Sequence, residues 1–146
     1  MATKYITYGL GDFDLAKFEK VKNGKFTKPE GGLWSSPVDS SDSWLNWVLS
    51  NGHEDVFDLS DSFTFTLKPD AKVLTLYHKK DLKKELERKP QNEEIVSPNW
   101  FYLDFEKLMD LGYDAVDVKI AELYWEMNLW DCDSLFVINP EKIIIL

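Results

Sequence analysis

The sequence predicts an α+β domain, and three observations carry that reading. Phe63 to Leu67 alternates apolar and polar residues with period two among several short strand-like stretches, a few other stretches have helical spacing, and the chain closes on strands instead of alternating strand with helix. No GxGxxG follows a strand and no P-loop lysine motif occurs, so a doubly wound nucleotide fold has no support. The length of 146 residues fits one domain, taken as residues 1–146.

The elements follow in chain order. Lys4 to Tyr8 reads as a strand, followed by a Gly-Leu-Gly turn. Leu15 to Phe18 has helical character. Gly31-Gly32 punctuates the chain before Leu33-Trp34-Ser35-Ser36. Asp39 to Ser43 supplies cap residues for a helix carrying Trp44, Leu45, Trp47 and Val48, which Asn51-Gly52 closes. Phe63, Phe65 and Leu67 alternate with Thr64 and Thr66 in a half-buried strand. The turn Lys68-Pro69-Asp70 leads to a strand at Val73 to Tyr77. Asp81 to Lys89 reads as a charged helix, with Leu82 and Leu86 four apart. After a loop at Pro90 to Pro98, Phe101, Phe105, Leu108 and Leu111 mark an amphipathic helix that Gly112 ends. Tyr113 to Val118, Ser134 to Ile138 and Lys142 to Leu146 read as closing strands. The total is five or six strands and three helices.

Composition narrows the function classes. The 17 basic and 26 acidic residues leave a net charge of −9, and such a surface repels a phosphate backbone, so nucleic acid is not an expected partner. Solubility is the default use of this charge. Attraction of a basic protein and imitation of DNA are the other two, and the spread of the acids along the chain ranks imitation last. The single Cys132 allows no disulfide within the chain and fits a reducing compartment. The start, MATKYITYG, lacks the apolar stretch of a signal peptide, and apolar runs such as Ile143 to Leu146 are far too short to span a membrane. The expected setting is cytoplasmic, with no membrane partner. His53 and His78 stand far apart, and no HExxH or cysteine-based pattern calls for a metal.

Six tryptophans is a high count for this length, so some of the rings are expected to line a cleft. Three motifs could build such a site. In Gly31 to Pro37, glycine lets a ligand approach the backbone at Gly32 and Leu33, Trp34 can stack on a flat ring, and Ser35 and Ser36 can bond a ribose or an amide. The structural alternative is a glycine turn leading into a short core strand. In Trp130 to Ser134, an extended backbone would point Asp131 and Asp133 to one face and Cys132 and Ser134 to the other. A carboxylate beside an aromatic wall can bond a ribose diol or stabilise a cationic transition state. The alternative there is a polar entrance to an apolar strand. Tyr8 and Gly9 end the first strand, where they can meet a nucleotide or simply finish an edge strand.

Taken in order, these motifs resemble the ADP-ribosyltransferase superfamily. One branch of that superfamily uses a histidine, a tyrosine and a glutamate; the other uses an arginine, a Ser-Thr-Ser strand and a Glu-x-Glu loop before an apolar strand. Ser35-Ser36 resembles the serine strand, and Asp131 to Val137 resembles a shortened acidic loop with its strand. Lys28 to Pro37 followed by Trp44 to Trp47, together with Trp130-Asp131-Cys132 and Asn139 to Ile143, is similar to small phage and bacterial proteins of that fold. The resemblance implies split mixed or antiparallel sheets with flanking helices. It implies NAD as substrate and transfer of ADP-ribose to a host protein or a small molecule.

It further implies Asp131 and Asp133 as catalytic acids, one bonding the nicotinamide ribose. Contacts to NAD or an ADP-ribose-like ligand would come from Tyr8, Gly9, Gly32, Leu33, Trp34, Ser35, Ser36, Trp130 and Ser134, with Tyr8 toward the adenosine ribose and Trp34 beside nicotinamide. Gly31 to Ser36 and Trp130 to Ser134 would face one another across a cleft. The chain departs from the family in three places. Tyr8-Gly9 stands where one branch has His-Gly, no arginine serves the other branch, and both acids are Asp, one methylene shorter than Glu. A misplacement of about 1 Å can cost roughly 10²-fold in rate. The second reading is therefore an inactive binding module of the same fold that sequesters a host protein or an NAD-derived ligand.

Overall fold

The structure, a computed structural model, describes residues 3–8, 13–24, 27–52, 62–89, 100–127 and 130–146. The strands are β1 (Tyr5–Tyr8), β2 (Leu33–Pro37), β3 (Ser62–Leu67), β4 (Val73–Leu76), β5 (Ala115–Val118), β6 (Ser134–Val137) and β7 (Ile143–Ile145). Two α-helices are described, α1 (Trp44–Ser50) and α2 (Phe105–Asp110). The strands form one mixed seven-stranded sheet in the order β4-β5-β6-β2-β1-β3-β7. Among the described strands β4 and β5 run parallel, and the other neighbours are antiparallel. The architecture is α+β, as the strand-rich ending predicts.

Period-two alternation decides what each face buries. On β5 and β6, Val116, Val118 and Phe136 join a core with Leu103, Phe105, Leu108, Leu123, Met127 and Trp130. Ala115, Leu135 and Val137 join a second core with Tyr5, Leu33, Phe63 and Phe65. Both faces of the central strands are therefore covered, and all eight residues of β5 and β6 are buried.

β2 divides the sheet. Its first half pairs with β6, with Leu33 opposite Val137, Trp34 opposite Phe136 and Ser35 opposite Leu135. Its second half pairs with β1, with Ser36 opposite Ile6 and Pro37 opposite Tyr5. Pro37 has no N–H to give a ladder, so it suits the end of a strand. The pairing passes from one neighbour to the other within five residues.

The helices obey their caps. Ser43 accepts the N–H of Asn46 at the start of α1, and Gly52 follows the Asn51 cap with φ 68°. At the end of α2, the N–H of Gly112 bonds Met109 and that of Tyr113 bonds Leu108. This is a Schellman arrangement, and it requires the φ of 82° that Gly112 adopts.

Two predicted helices differ. The charged stretch Asp81 to Lys89 holds only two 3₁₀ turns, Lys79–Asp81 and Lys84–Leu86. Its backbone is claimed by tertiary partners: Arg88 N–H bonds Tyr102, and Asp104 N–H bonds Leu86. Glu87 thereby bridges Leu103 as a short strand pair, and local helix propensity is overridden. The same pairing keeps Phe101 to Leu103 extended, so α2 starts only after the Asp104 cap. Gly9, His53 and the Pro90 to Pro98 loop lie outside the described residues.

Candidate functional site

A cleft of about 310 Å³ lies beside the paired strands β2 and β6. Trp34 and Ser35 of β2, Trp44 and Trp47 of α1, and Trp130 line it. Lys28 and the Asp131-Cys132 turn stand on it as well, with Ser134 at the start of β6. Four of the six tryptophans are thus gathered in one place, so the high count belongs to a cleft as well as to the core.

The rings are fixed from behind. Trp130 is 2% exposed and stacks on Phe105 with centroids 6.1 Å apart. Its indole N–H points to the carbonyl of Thr27 at 3.4 Å. Trp34 meets Trp130 edge-on at 4.7 Å and leans on Phe136 at 4.8 Å. Trp44 meets Tyr8 edge-on at 5.4 Å. A half-buried Trp34 held by two buried rings presents its remaining surface without loss of rotamer freedom on binding.

The two aspartates separate completely. Asp131 has φ 64°, and the Cys132 N–H returns to the Trp130 carbonyl at 2.7 Å. That is a γ-turn of the rare positive-φ kind, which Asp tolerates better than most residues. The chain is therefore not extended here, and the two carboxylates do not share a face. The Asp131 carboxylate is half-exposed at the cleft, 3.5 Å from the Lys28 ammonium. Lys28 in turn lies 5.6 Å from the centre of the Trp34 ring.

Asp133 is 5% exposed, and both of its oxygens are engaged. One accepts the Ile120 N–H at 2.8 Å, and the other accepts the Ser40 hydroxyl at 2.6 Å with Lys119 at 3.9 Å. It clips three segments together and does not line the cleft. The catalytic role expected of Asp133 does not match this geometry.

The serines are similarly occupied. Ser35 donates to the Leu135 carbonyl, Ser36 to the Asp133 carbonyl and Ser134 to the Cys132 carbonyl, at 2.8, 2.8 and 3.0 Å. Each hydroxyl proton is committed to the backbone of the β6 region, so none remains to donate to a ribose. Ser35 and Ser134 reach the cleft with acceptor capacity only. Ser36, fully buried, lies behind it.

Three further expectations are corrected. Gly32 has φ 68°, and a Cβ there would overlap the Phe136 ring, so the close approach it permits is to the protein's own core. Leu33 is buried in the second core. Tyr8 is 8% exposed and, among the described residues, stands behind Trp44 instead of lining the cleft. The β2 and β6 segments are paired neighbours, not opposite walls; the wall facing them is α1. Sequence reading did not single out Lys28, Trp44, Trp47 or Cys132 as site residues. The i, i+3 spacing of Trp44 and Trp47 was the available signal, since it sets both rings on one side of α1. Burial pushes the Cys132 thiol up to about 11, which disfavours the thiolate at neutral pH.

Apart from the cleft, one buried polar pair stands out. Tyr77 donates to Asp117 at 2.5 Å, and the other Asp117 oxygen has no hydrogen-bond partner among the described residues. Burial raises the Asp117 carboxyl above its ordinary range, with the Tyr77 bond and Lys119 opposing. His78 is exposed and paired with Glu122. Among the described residues, no three His, Cys, Asp or Glu side chains are grouped to hold a metal ion, and no helix is long and apolar enough to cross a membrane. Comparison with family models, curated proteins and solved structures found no match to this chain.

Proposed function

We propose that the tryptophan cleft binds the nicotinamide end of NAD, in a domain of the ADP-ribosyltransferase type. One observation carries the reading: Trp34, Trp44, Trp47 and Trp130 share a cleft with the half-exposed carboxylate of Asp131. Indole faces attract flat and cationic rings, and the oxidised nicotinamide ring is both. The volume falls at the small end of ligand pockets, about 300–1,000 Å³, which suits a ring with its sugar while the rest of a dinucleotide lies outside. The split sheets that the resemblance implies are not separate here, since β2 joins all seven strands into one mixed sheet, so the family reading rests on the residues of the cleft.

In this reading Asp131, the acid among the described residues that line the cleft, bonds the nicotinamide ribose. As nicotinamide leaves, positive charge develops on the ribose, and a carboxylate against aromatic walls stabilises it. The acceptor of ADP-ribose would be a host protein or a small molecule. A second reading is favoured by the engagement of Asp133 and of all three serine hydroxyls. With those groups committed, the cleft binds NAD or an ADP-ribose-like ligand without turning it over, and the domain sequesters its ligand or a host protein.

Calorimetry with NAD, nicotinamide mononucleotide and ADP-ribose, alongside release of nicotinamide from labelled NAD, separates the two. Binding with release supports the transferase, and binding without release supports the module. No heat from any of the three ligands at millimolar concentration sinks the transferase and the ligand-sequestering module, and leaves capture of a host protein alone.

A further inference from the structure

We infer that Lys28 acts as a built-in stand-in for a cationic ligand, occupying the cation subsite formed by Trp34 and Asp131 until a pyridinium-type ring displaces it. The inference rests on the cleft being a ligand site, as in the preceding reading, but not on NAD being its ligand.

The geometry is that of a bound cation. The Lys28 ammonium lies 5.6 Å from the Trp34 ring centre, inside the reach of a cation–π contact. The same ammonium lies 3.5 Å from an Asp131 carboxylate oxygen. An aromatic face and a carboxylate converging on one positive charge is how organic cations are recognised, and here the charge comes from the chain itself. Two features mark the subsite as built. Asp131 is held at φ 64° by the γ-turn that returns Cys132 N–H to Trp130, which swings its carboxylate out of the strand line. Trp34 is held by Trp130 and Phe136 from behind. Lys28, by contrast, has a side chain 45% exposed, and such a pair is easily exchanged because an exposed ion pair is weak.

The occupant that fits is a flat organic cation. A ring covers more of Trp34 than an ammonium does, and Trp44 and Trp47 are on hand to contact it further. A neutral ring would gain the stacking but not the carboxylate, and it has no reason to take the place of a charge. Lys28 therefore biases the cleft against neutral aromatics and weak cations and sets a threshold for strong ones.

The test is a titration of the full chain with the 1-methylnicotinamide cation and, in parallel, neutral nicotinamide, read from the indole N–H signals in proton–nitrogen NMR. Lys28→Ala and Lys28→Gln should bind the cation about two- to ten-fold more tightly than the parent, the scale of one exposed ion pair and one exposed cation–π contact. The gain for neutral nicotinamide should be smaller, and Lys28→Arg should leave cation affinity near the parent value. Asp131→Asn, which tolerates the same positive φ, should weaken cation binding and leave nicotinamide binding in place. Weaker or unchanged cation binding in both neutral Lys28 variants overturns the inference, because Lys28 would then be a contact or a bystander. An equal gain for the neutral ring also overturns it, leaving a steric plug. If NAD fails to bind while the cation binds with the stated gain, the NAD reading falls and the subsite stands. If NAD binds without that gain, only this inference falls.

Discussion

The Ser36 hydroxyl donates to the Asp133 carbonyl at 2.8 Å, and the same oxygen accepts the Trp44 N–H at 2.9 Å. One buried side chain thus ties β2 to the lead-in of β6 and to the first turn of α1. Three walls of the cleft depend on it. Ser36→Ala leaves a carbonyl and an amide without that partner and should cost about 1–3 kcal/mol of stability, the penalty of unsatisfied buried groups. Urea denaturation measures it, and the indole N–H signals should shift for the α1 tryptophans. A variant as stable as the parent with unmoved indole signals would remove Ser36 from this role.

Gly32 and Gly112 provide a controlled comparison. Both have positive φ, 68° and 82°, but a side chain at Gly32 meets the Phe136 ring and the Val137 carbonyl while one at Gly112 meets nothing. Gly112→Ala should lose about 1–2 kcal/mol, the left-handed backbone cost alone. Gly32→Ala adds overpacking of about 1–3 kcal/mol to it. Equal losses in parallel denaturation curves would mean that the backbone of β2 yields enough to relieve the collision.

These positions show why the sequence was legible in part. Alternation located β3, short apolar runs located the buried strands, and the caps Ser43 and Gly112 located helix ends. Propensity misread Asp81 to Lys89, whose backbone is taken by Tyr102 and Asp104, residues that no local window includes. Consecutive strands β3 and β4 also lie far apart in the sheet, since order depends on long-range pairing. At the site, residue types were more legible than roles. Trp34, Trp130 and Asp131 do line the cleft, whereas Ser36, Gly32 and Asp133 carry the same chemistry and turn it inward. The γ-turn at Asp131 separates the two acids, and nothing in an Asp-Cys-Asp sequence distinguishes it from an extended chain.

Asp117 should make the fold's stability fall as the carboxyl ionises. Burial is the main cause of its raised value, with the Tyr77 hydrogen bond and Lys119 opposing. The folded state therefore holds this proton more tightly than the unfolded chain does. Its stabilisation is fully present below the ordinary value of 3.8 and is lost as pH rises through the raised folded value. Above that range Asp117→Asn should melt at a higher temperature than the parent, since it removes the buried charge and still accepts from Tyr77. The difference should shrink toward zero as pH drops below the ordinary value. Thermal midpoints of both proteins across acid to neutral pH test this, and a constant difference would exclude ionisation as its cause.

Asp131 and Asp133 should come apart on two axes, stability and turnover. Asp133 is buried with partners on both oxygens, so Asp133→Asn should cost about 1.5–3 kcal/mol, the scale of hydrogen bonds to a charged group. Asp131 is half-exposed, and among the described residues its ion pair is with Lys28 at 3.5 Å. Asn accepts its positive φ, so Asp131→Asn should stay within about 0.5 kcal/mol of the parent, as surface changes do. If the domain cleaves NAD, the order reverses. Asp131→Asn should lose about 10²–10³ in turnover at saturating NAD, the effect of removing one preorganised electrostatic partner. Asp133→Asn should lose activity only as far as it loses folded protein. Nicotinamide release measured well below both melting midpoints isolates chemistry from unfolding. A folded Asp131→Asn protein with parental turnover takes Asp131 out of the reaction, and with it the transferase reading, because Asp133 is already committed to Ile120 and Ser40. Binding that survives in the same sample would then leave the cleft as a sequestering site.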